Sequence, residues 1–527
     1  MKRLLLLPLF ALLACSSSST EPPASTPDAA ETSESGDDIV PAKSIGPVAL
    51  GMRYSEVRKA LGEGKATGLN NLVFGRWPER NLEVVFASAE PATLSDDAIV
   101  LAVGALSGGA FRGAVRPGLT RGAIEAVLGK ASDVVTTYAY WASGVSARFD
   151  KDGDAGVAVS VSVHAPYVPE TTVAEMKPSG GAGGAPKAPD PAKIKRIDMH
   201  LHPGYFGRIP GPTKGFIVGS IPPFTQLYAP AALAAAIDPW VPFVGIKAQT
   251  ALAAVDHAVL YAVYTQHTTG FFTNEDLEKV LTDPRNVAAD GLPWAWGFAS
   301  IDYFDGFVKA DGTLDEAVAK PRLAALASYF EKRRDLFIGI KLAHAHQAVA
   351  FDDARYLGVY DIAAKHDVPV YLHTGFSPFP GAKNERAFYD PEGLRNTIKN
   401  LPKVRFVLGH VGQGDAGAVE HCLALAKEFP NVYLEISALN RPTLRDEGGA
   451  DVTPDTSKPQ YPYVIAQIKA RGLVEKTIFG TDGPQFAGMV KGYVGLLEKA
   501  MADAGYTADE VQRVMSGNFL SVYFPSK

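Results

Sequence analysis

The strongest constraint in this chain is a rhythm that begins near residue 195. Eight short apolar runs, 196–202, 258–263, 294–298, 336–342, 368–373, 404–410, 432–436 and 477–482, alternate with stretches of helical periodicity such as 353–366 and 418–428. Strand and helix in alternation read as parallel strands joined by crossover helices, and eight such units close into a (β/α)8 TIM barrel, here with insertions. The polar residues of these runs are not scattered. His200 and His202 end the first, Lys341 lies near the end of the fourth, His373 ends the fifth, His410 the sixth and Asp482 the eighth. The C-terminal ends of parallel barrel strands share one mouth, so these side chains are expected around one point.

Residues two apart on a strand point the same way, which lets His200 and His202 hold one ion. Imidazole nitrogens with one carboxylate suit a divalent metal, zinc above all, that keeps a position open for water. In sequence order, Ile197-Asp-Met-His-Leu-His202, Gly339-Ile-Lys-Leu342, Pro369-Val-Tyr-Leu-His-Thr-Gly375, Val407-Leu-Gly-His-Val-Gly412 and Ile478-Phe-Gly-Thr-Asp-Gly483 resemble the motifs of the amidohydrolase superfamily. The likeness is to its subgroup of metal-dependent hydrolases and decarboxylases related to amino-carboxymuconate-semialdehyde decarboxylase. It implies that His200, His202, His373 and Asp482 ligate one metal and that His410 is the acid/base beside it, with Asp482 able to share the proton transfer. A fourth-strand lysine is carbamylated and bridges two metals in the binuclear members, which would make Lys341 a ligand to a second ion. In mononuclear members Lys341 would be a buried charge partner. His344 and His346 repeat the His-x-His spacing outside any such motif and read as loop residues. Cys422, among apolar neighbours, reads as a core thiol and His421 as a surface residue.

Ahead of the barrel, the sequence divides at two tracts of tether composition. Residues 1–15 carry Lys2 and Arg3, an apolar stretch over 4–13 too short to span a bilayer, and Leu12-Leu13-Ala14-Cys15. This ending resembles a bacterial lipobox, which implies cleavage before Cys15 and diacylation of its sulfur. Ser16 after the cysteine then favours the outer membrane, facing the periplasm. Residues 16–40 are rich in Ser, Thr, Pro and acidic residues and read as a flexible tether, and 173–193 as a Gly/Pro-rich linker. Between them, 41–172 reads as a smaller α+β domain with an internal repeat: 51–62 returns as 118–129. Both copies have a glycine, a polar turn, apolar residues four apart (Val57 and Leu61, Ile124 and Leu128) and a closing glycine. The helix motif resembles the repeats of outer-membrane assembly lipoproteins and β-lactamase inhibitor proteins. No chemical constellation marks this unit, which reads as a spacer or protein-binding module. The linker composition predicts that the barrel, 194–527, folds without it.

The reaction expected is hydrolysis of an ester, lactone or amide of a small organic substrate by metal-activated water. The same ligands would serve a decarboxylase of a small, aromatic carboxylic acid, and a barrel that has lost activity would remain a metal-binding scaffold. The aromatic and proline-rich segment 203–241 could roof the barrel mouth. A net charge of −6 over 527 residues, without a dense Lys/Arg stretch, excludes nucleic acid as a partner. Composition sets no oligomeric state.

Overall fold

Eight parallel strands run in chain order around one sheet: β1 (Ile197–Leu201), β2 (His257–Tyr261), β3 (Ala295–Ala299), β4 (Phe337–Leu342), β5 (Val370–His373), β6 (Phe406–Gly409), β7 (Val432–Glu435) and β8 (Thr477–Ile478). The structure is a computed structural model that describes residues 37–69, 71–173, 178, 183–304, 306–439, 460–484 and 488–525. The ring closes where Leu201 bridges Gly483 in parallel and the His202 amide donates to the Gly483 carbonyl at 2.8 Å. All eight runs read from the sequence are these strands, and the fold is the expected barrel. Its interior is packed with Tyr261, Trp296, Phe298 and Tyr371, and the C-terminal helix Asn518–Tyr523 plugs the lower end with Phe519 and Tyr523. A second apolar layer, including Leu260, Ile340, Leu408 and Cys422, lies between strands and surrounding helices.

The N-terminal domain is built twice. Helices Tyr54–Leu61 and Arg121–Leu128 both end on a glycine in the left-handed region, Gly62 at φ 78° and Gly129 at φ 80°. Each is pinned by an indole: Trp77 Nε1 donates to the Gly62 carbonyl at 3.1 Å and Trp141 Nε1 to that of Gly129 at 2.9 Å. The amides of Gly51 and Gly118 donate to matching carbonyls, Val100 at 2.9 Å and Ala158 at 2.8 Å. Each helix precedes four strands of one antiparallel sheet, in which Ile99–Leu106 and Ala158–His164 meet at the centre. The motif repeat read from the sequence is thus a repeat of structure.

Both faces of that sheet are covered. One carries the two helices, with Val57 and Ile124, over Trp77, Phe86 and Trp141. The other, with Leu72, Phe74, Val85, Tyr138 and Tyr140, shares a core with Phe206, Val218, Leu227, Tyr228, Leu233 and Val244 of the segment after β1. Polar contacts seal this core, with Lys214 Nζ 2.7 Å from Asp133 Oδ1 and the Tyr140 hydroxyl donating to the Gln226 carbonyl at 2.8 Å. Segment 203–241 is therefore mainly a docking surface for the sheet. Only part of it turns to the barrel, where Tyr205 lies 5.4 Å from the Phe272 ring and Phe216 5.6 Å from that of Phe379. The expected independence of the barrel does not survive this shared core. Linker composition carries no information about contacts made elsewhere along the chain, and here those contacts decide.

Residues 1–36, with Cys15, the signal and most of the tether, lie outside the described residues, as do 174–177 and 179–182 of the linker. The last four residues assigned to the tether, Asp37–Val40, form a strand. Among the described residues no helix is long and apolar enough to cross a membrane.

Candidate metal centre

Strand register sets the site. His373, Gly409 and Glu435 pair across β5, β6 and β7, which puts three consecutive strand ends in one row. The β1–β8 closure brings Asp482 against His202. Asp198 stiffens that junction, since its carboxylate accepts from the Thr481 hydroxyl at 2.7 Å and from the amides of Thr481 and His200 at 3.1 Å.

At the centre, His200 Nε2 and His202 Nε2 stand 2.9 Å apart and Asp482 Oδ1 lies 3.2 Å from each. Three donors around a tetrahedral zinc with bonds of about 2.0–2.1 Å would sit roughly 3.3 Å apart, so this triangle fits such an ion. Charge state agrees. Burial lowers the pKa of His200, His202 and His373, leaving neutral imidazoles, the form that ligates. Burial works against ionising Asp482, but the hydrogen bond from His202 and the positive groups around it outweigh that and hold the carboxyl below its usual range. A buried polar atom without a partner points the same way: His373 Nε2 has none among the described residues. The residues present therefore fit a divalent metal.

His410 and Lys341 border the triangle. The His410 ring lies 4.6 Å from that of His373 and 5.0 Å from that of His200. Lys341 Nζ is 3.4 Å from His200 Nε2 and 4.0 Å from the centre of the Tyr371 ring, and burial pulls its pKa down to about 7. His410 at φ 63°, Val411 at φ 45° and Asp482 at φ 58° occupy the left-handed region, unusual for non-glycine residues and most unusual for a β-branched valine. Such backbone clusters where a site must be aimed.

The sequence-read residues His200, His202 and Asp482 thus converge, with Lys341 and His410 against them and His373 alongside His410. His344 and His346 are not loop residues. They form the short helix His344–Gln347 and are buried, with His346 Nδ1 2.9 Å from Thr268 Oγ1 and its ring 5.1 Å from that of His373. Cys422 is fully buried, and His421 is partly buried with Nδ1 2.7 Å from Asp390.

Sequence reasoning missed Glu435. It is fully buried, burial lifts its pKa to about 8, and with His200 and His410 it forms a second cluster able to hold a metal. It is a lone carboxylate ending an apolar run, the very signal that singled out the other strand ends. Asp198, Tyr371 and Ser437 were missed too; Asp198 is a charged residue within the first apolar run, whereas nothing in the sequence context of Tyr371 or Ser437 marks them.

No curated protein matches the chain. Similar solved structures include a TIM-barrel protein of Bordetella bronchiseptica (16% identity, 63% of this chain and 99% of that one, TM-score 0.44). Others are 2,6-dihydroxybenzoate decarboxylase from Rhizobium (12%, 63% and 99%, TM-score 0.39) and dihydroorotase from Campylobacter jejuni (15%, 63% and 84%, TM-score 0.36). The family model described as amidohydrolase matches residues 197–524, the whole barrel and more than half of the chain, and the protein belongs to that family.

Proposed function

We propose that the protein is a zinc-dependent hydrolase that opens an ester, lactone or amide of a small organic substrate. The observation that carries this reading is the triangle of His200 Nε2, His202 Nε2 and Asp482 Oδ1, with sides of 2.9 to 3.2 Å. These three groups, with His373 beside them, would hold the ion. When bound, a divalent ion there would supply polarisation of a carbonyl oxygen and acidification of water. In this reading His410 and Asp482 would take the proton of the attacking water and return it to the leaving oxygen or nitrogen. Lys341 is then a buried positive neighbour, and the subgroup that the motifs resemble is that of the hydrolases and decarboxylases related to amino-carboxymuconate-semialdehyde decarboxylase. Lipid on Cys15 would anchor the enzyme to the outer membrane on its periplasmic side.

The test is metal analysis of the purified full chain together with a panel of esters, lactones, amides and aromatic carboxylates. The expected result is about one zinc per chain and hydrolysis that a chelator abolishes. Carbon dioxide release without hydrolysis would make the protein a decarboxylase, metal without turnover would leave a binding scaffold, and two ions per chain would make Lys341 a ligand.

A further inference from the structure

Beneath the metal triangle lies a buried polar network that the proposed chemistry does not use. Glu435 Oε2 accepts from the Tyr371 hydroxyl at 3.0 Å, from the Ser437 hydroxyl at 2.9 Å and from the His410 amide at 3.3 Å. Each hydroxyl has then spent its single proton on the carboxylate, so its oxygen can only accept from a further neighbour. That neighbour is an imidazole in both cases. His200 Nδ1 lies 2.9 Å from the Tyr371 oxygen, 3.1 Å from the Ser437 oxygen and 3.3 Å from Glu435 Oε2, and His410 Nδ1 lies 2.8 Å from the Ser437 oxygen. The three oxygens around His200 Nδ1 hold its proton there, which leaves the Nε2 lone pair of His200 open, while His410 Nε2 lies 3.4 Å from the Tyr371 oxygen. The His200 lone pair belongs to the atom that forms the metal triangle.

Space is reserved for this network. A Cβ on Gly409 would fall 1.8 Å from the Tyr371 hydroxyl oxygen, and one on Gly480 would fall 2.2 Å from Glu435 Oε1. Neither collision could be relieved by a flexible chain end, because Tyr371 and Glu435 are fully buried. The glycines before His410 and before Thr481 thus admit the carboxylate and the phenol to the barrel axis.

We infer that Glu435 is a positioning residue that sets the tautomer of His200, directly and through the hydroxyls of Tyr371 and Ser437. These contacts keep the metal-facing nitrogen of His200 available to ligate. Hydrogen bonding from a ligand's second ring nitrogen typically alters metal affinity 10- to 100-fold. The inference rests on the metal-enzyme reading above.

The comparison that tests it is Tyr371→Phe against Tyr261→Phe in the full chain, both titrated with cobalt(II). The Tyr261 ring also packs on His200, at 4.6 Å, and is equally buried, but its hydroxyl has no hydrogen-bond partner among the described residues. Tyr371→Phe is expected to weaken cobalt binding about 10- to 100-fold and to shift the visible d–d bands, along with a lower metal-free melting temperature because buried Glu435 and His200 each lose a partner. Tyr261→Phe is expected to leave affinity and spectrum as they were. Equal effects of the two variants, or native affinity and spectrum in Tyr371→Phe, would overturn the assignment while leaving the metal-enzyme reading intact. Failure of the unaltered chain to bind cobalt or zinc would overturn that reading and this inference with it.

Discussion

Gly104 and Tyr228 come from opposite sides of the shared core, which makes them a direct probe of whether the two units are one body in solution. Gly104 lies in the central strand Ile99–Leu106 of the N-terminal sheet. A Cβ there would stand 2.1 Å from the Tyr228 hydroxyl oxygen and 2.9 and 3.0 Å from two ring carbons. The tyrosine cannot swing aside, since it is 1% exposed and packed with its ring centre 5.8 Å from that of Phe74. Gly104→Ala should therefore cost about 1–3 kcal/mol, the usual penalty for overfilling a packed core. Tyr228→Ala should cost about 3–5 kcal/mol for the lost burial and the cavity left behind. In the double variant the alanine methyl enters space that the ring has vacated, so the double variant should be no less stable than Tyr228→Ala alone. The coupling free energy is then about 1–3 kcal/mol, as expected for residues in contact. Urea denaturation of the four full-length chains, followed by tryptophan fluorescence, measures all terms. Additive costs, with coupling near zero, would mean that the sheet and the segment after β1 do not touch as described and would restore the picture of two independent units.

Replacing His202 by Ala should remove metal and turnover together, whereas His410→Asn should keep most of the metal and lower turnover about 100-fold or more, as for a lost acid/base. Parallel metal analysis and rate measurements separate the two, and metal loss in His410→Asn as complete as in His202→Ala would make His410 a ligand. In a Cys15→Ser chain the single remaining thiol, Cys422, is buried, with its pKa pushed up by that burial. A thiol reagent should leave it unlabelled in the native protein and label it stoichiometrically in denaturant, and rapid native labelling would contradict the packing. The same Cys15→Ser change should move the protein from membrane fractions to the soluble periplasm; continued membrane retention would refute the lipid anchor.

The barrel was legible because its strands are buried on both faces and so appear as continuous apolar runs, against which a histidine or aspartate at a run's end stands out. His200, His202 and Asp482 were found on that contrast. Glu435 obeys the same rule and was passed over only because it matched no motif. Tyr371 is different in kind. A tyrosine within an apolar strand looks like packing, and what makes its hydroxyl matter is the absence of a side chain at Gly409 on the next strand, a relation that exists only after the strands pair. The docking of the N-terminal sheet was illegible for a similar reason. Phe74 and Tyr140 alternate along their strands as core residues do, and nothing local says whether the core they enter belongs to their own domain or to helices beyond residue 206.

The two-sided burial of the N-terminal sheet has a consequence for the order of events during synthesis. Phe74, Val85 and Tyr140 are made before any of the residues that cover them, and the last contributor to the shared core, Val244, follows Tyr140 by about 100 residues. Through that interval the nascent chain presents a paired but uncovered apolar surface, and whatever shields it must let go when the helix containing Leu233 arrives. The barrel faces the reverse situation, because its first βα connection meets a finished template as soon as it is made, while β8, needed to close the ring, is still more than 200 residues away. Assembly is thus templated from the N-terminus, with the sheet fixing the path of the chain just beyond His202 long before Asp482 exists to complete the triangle.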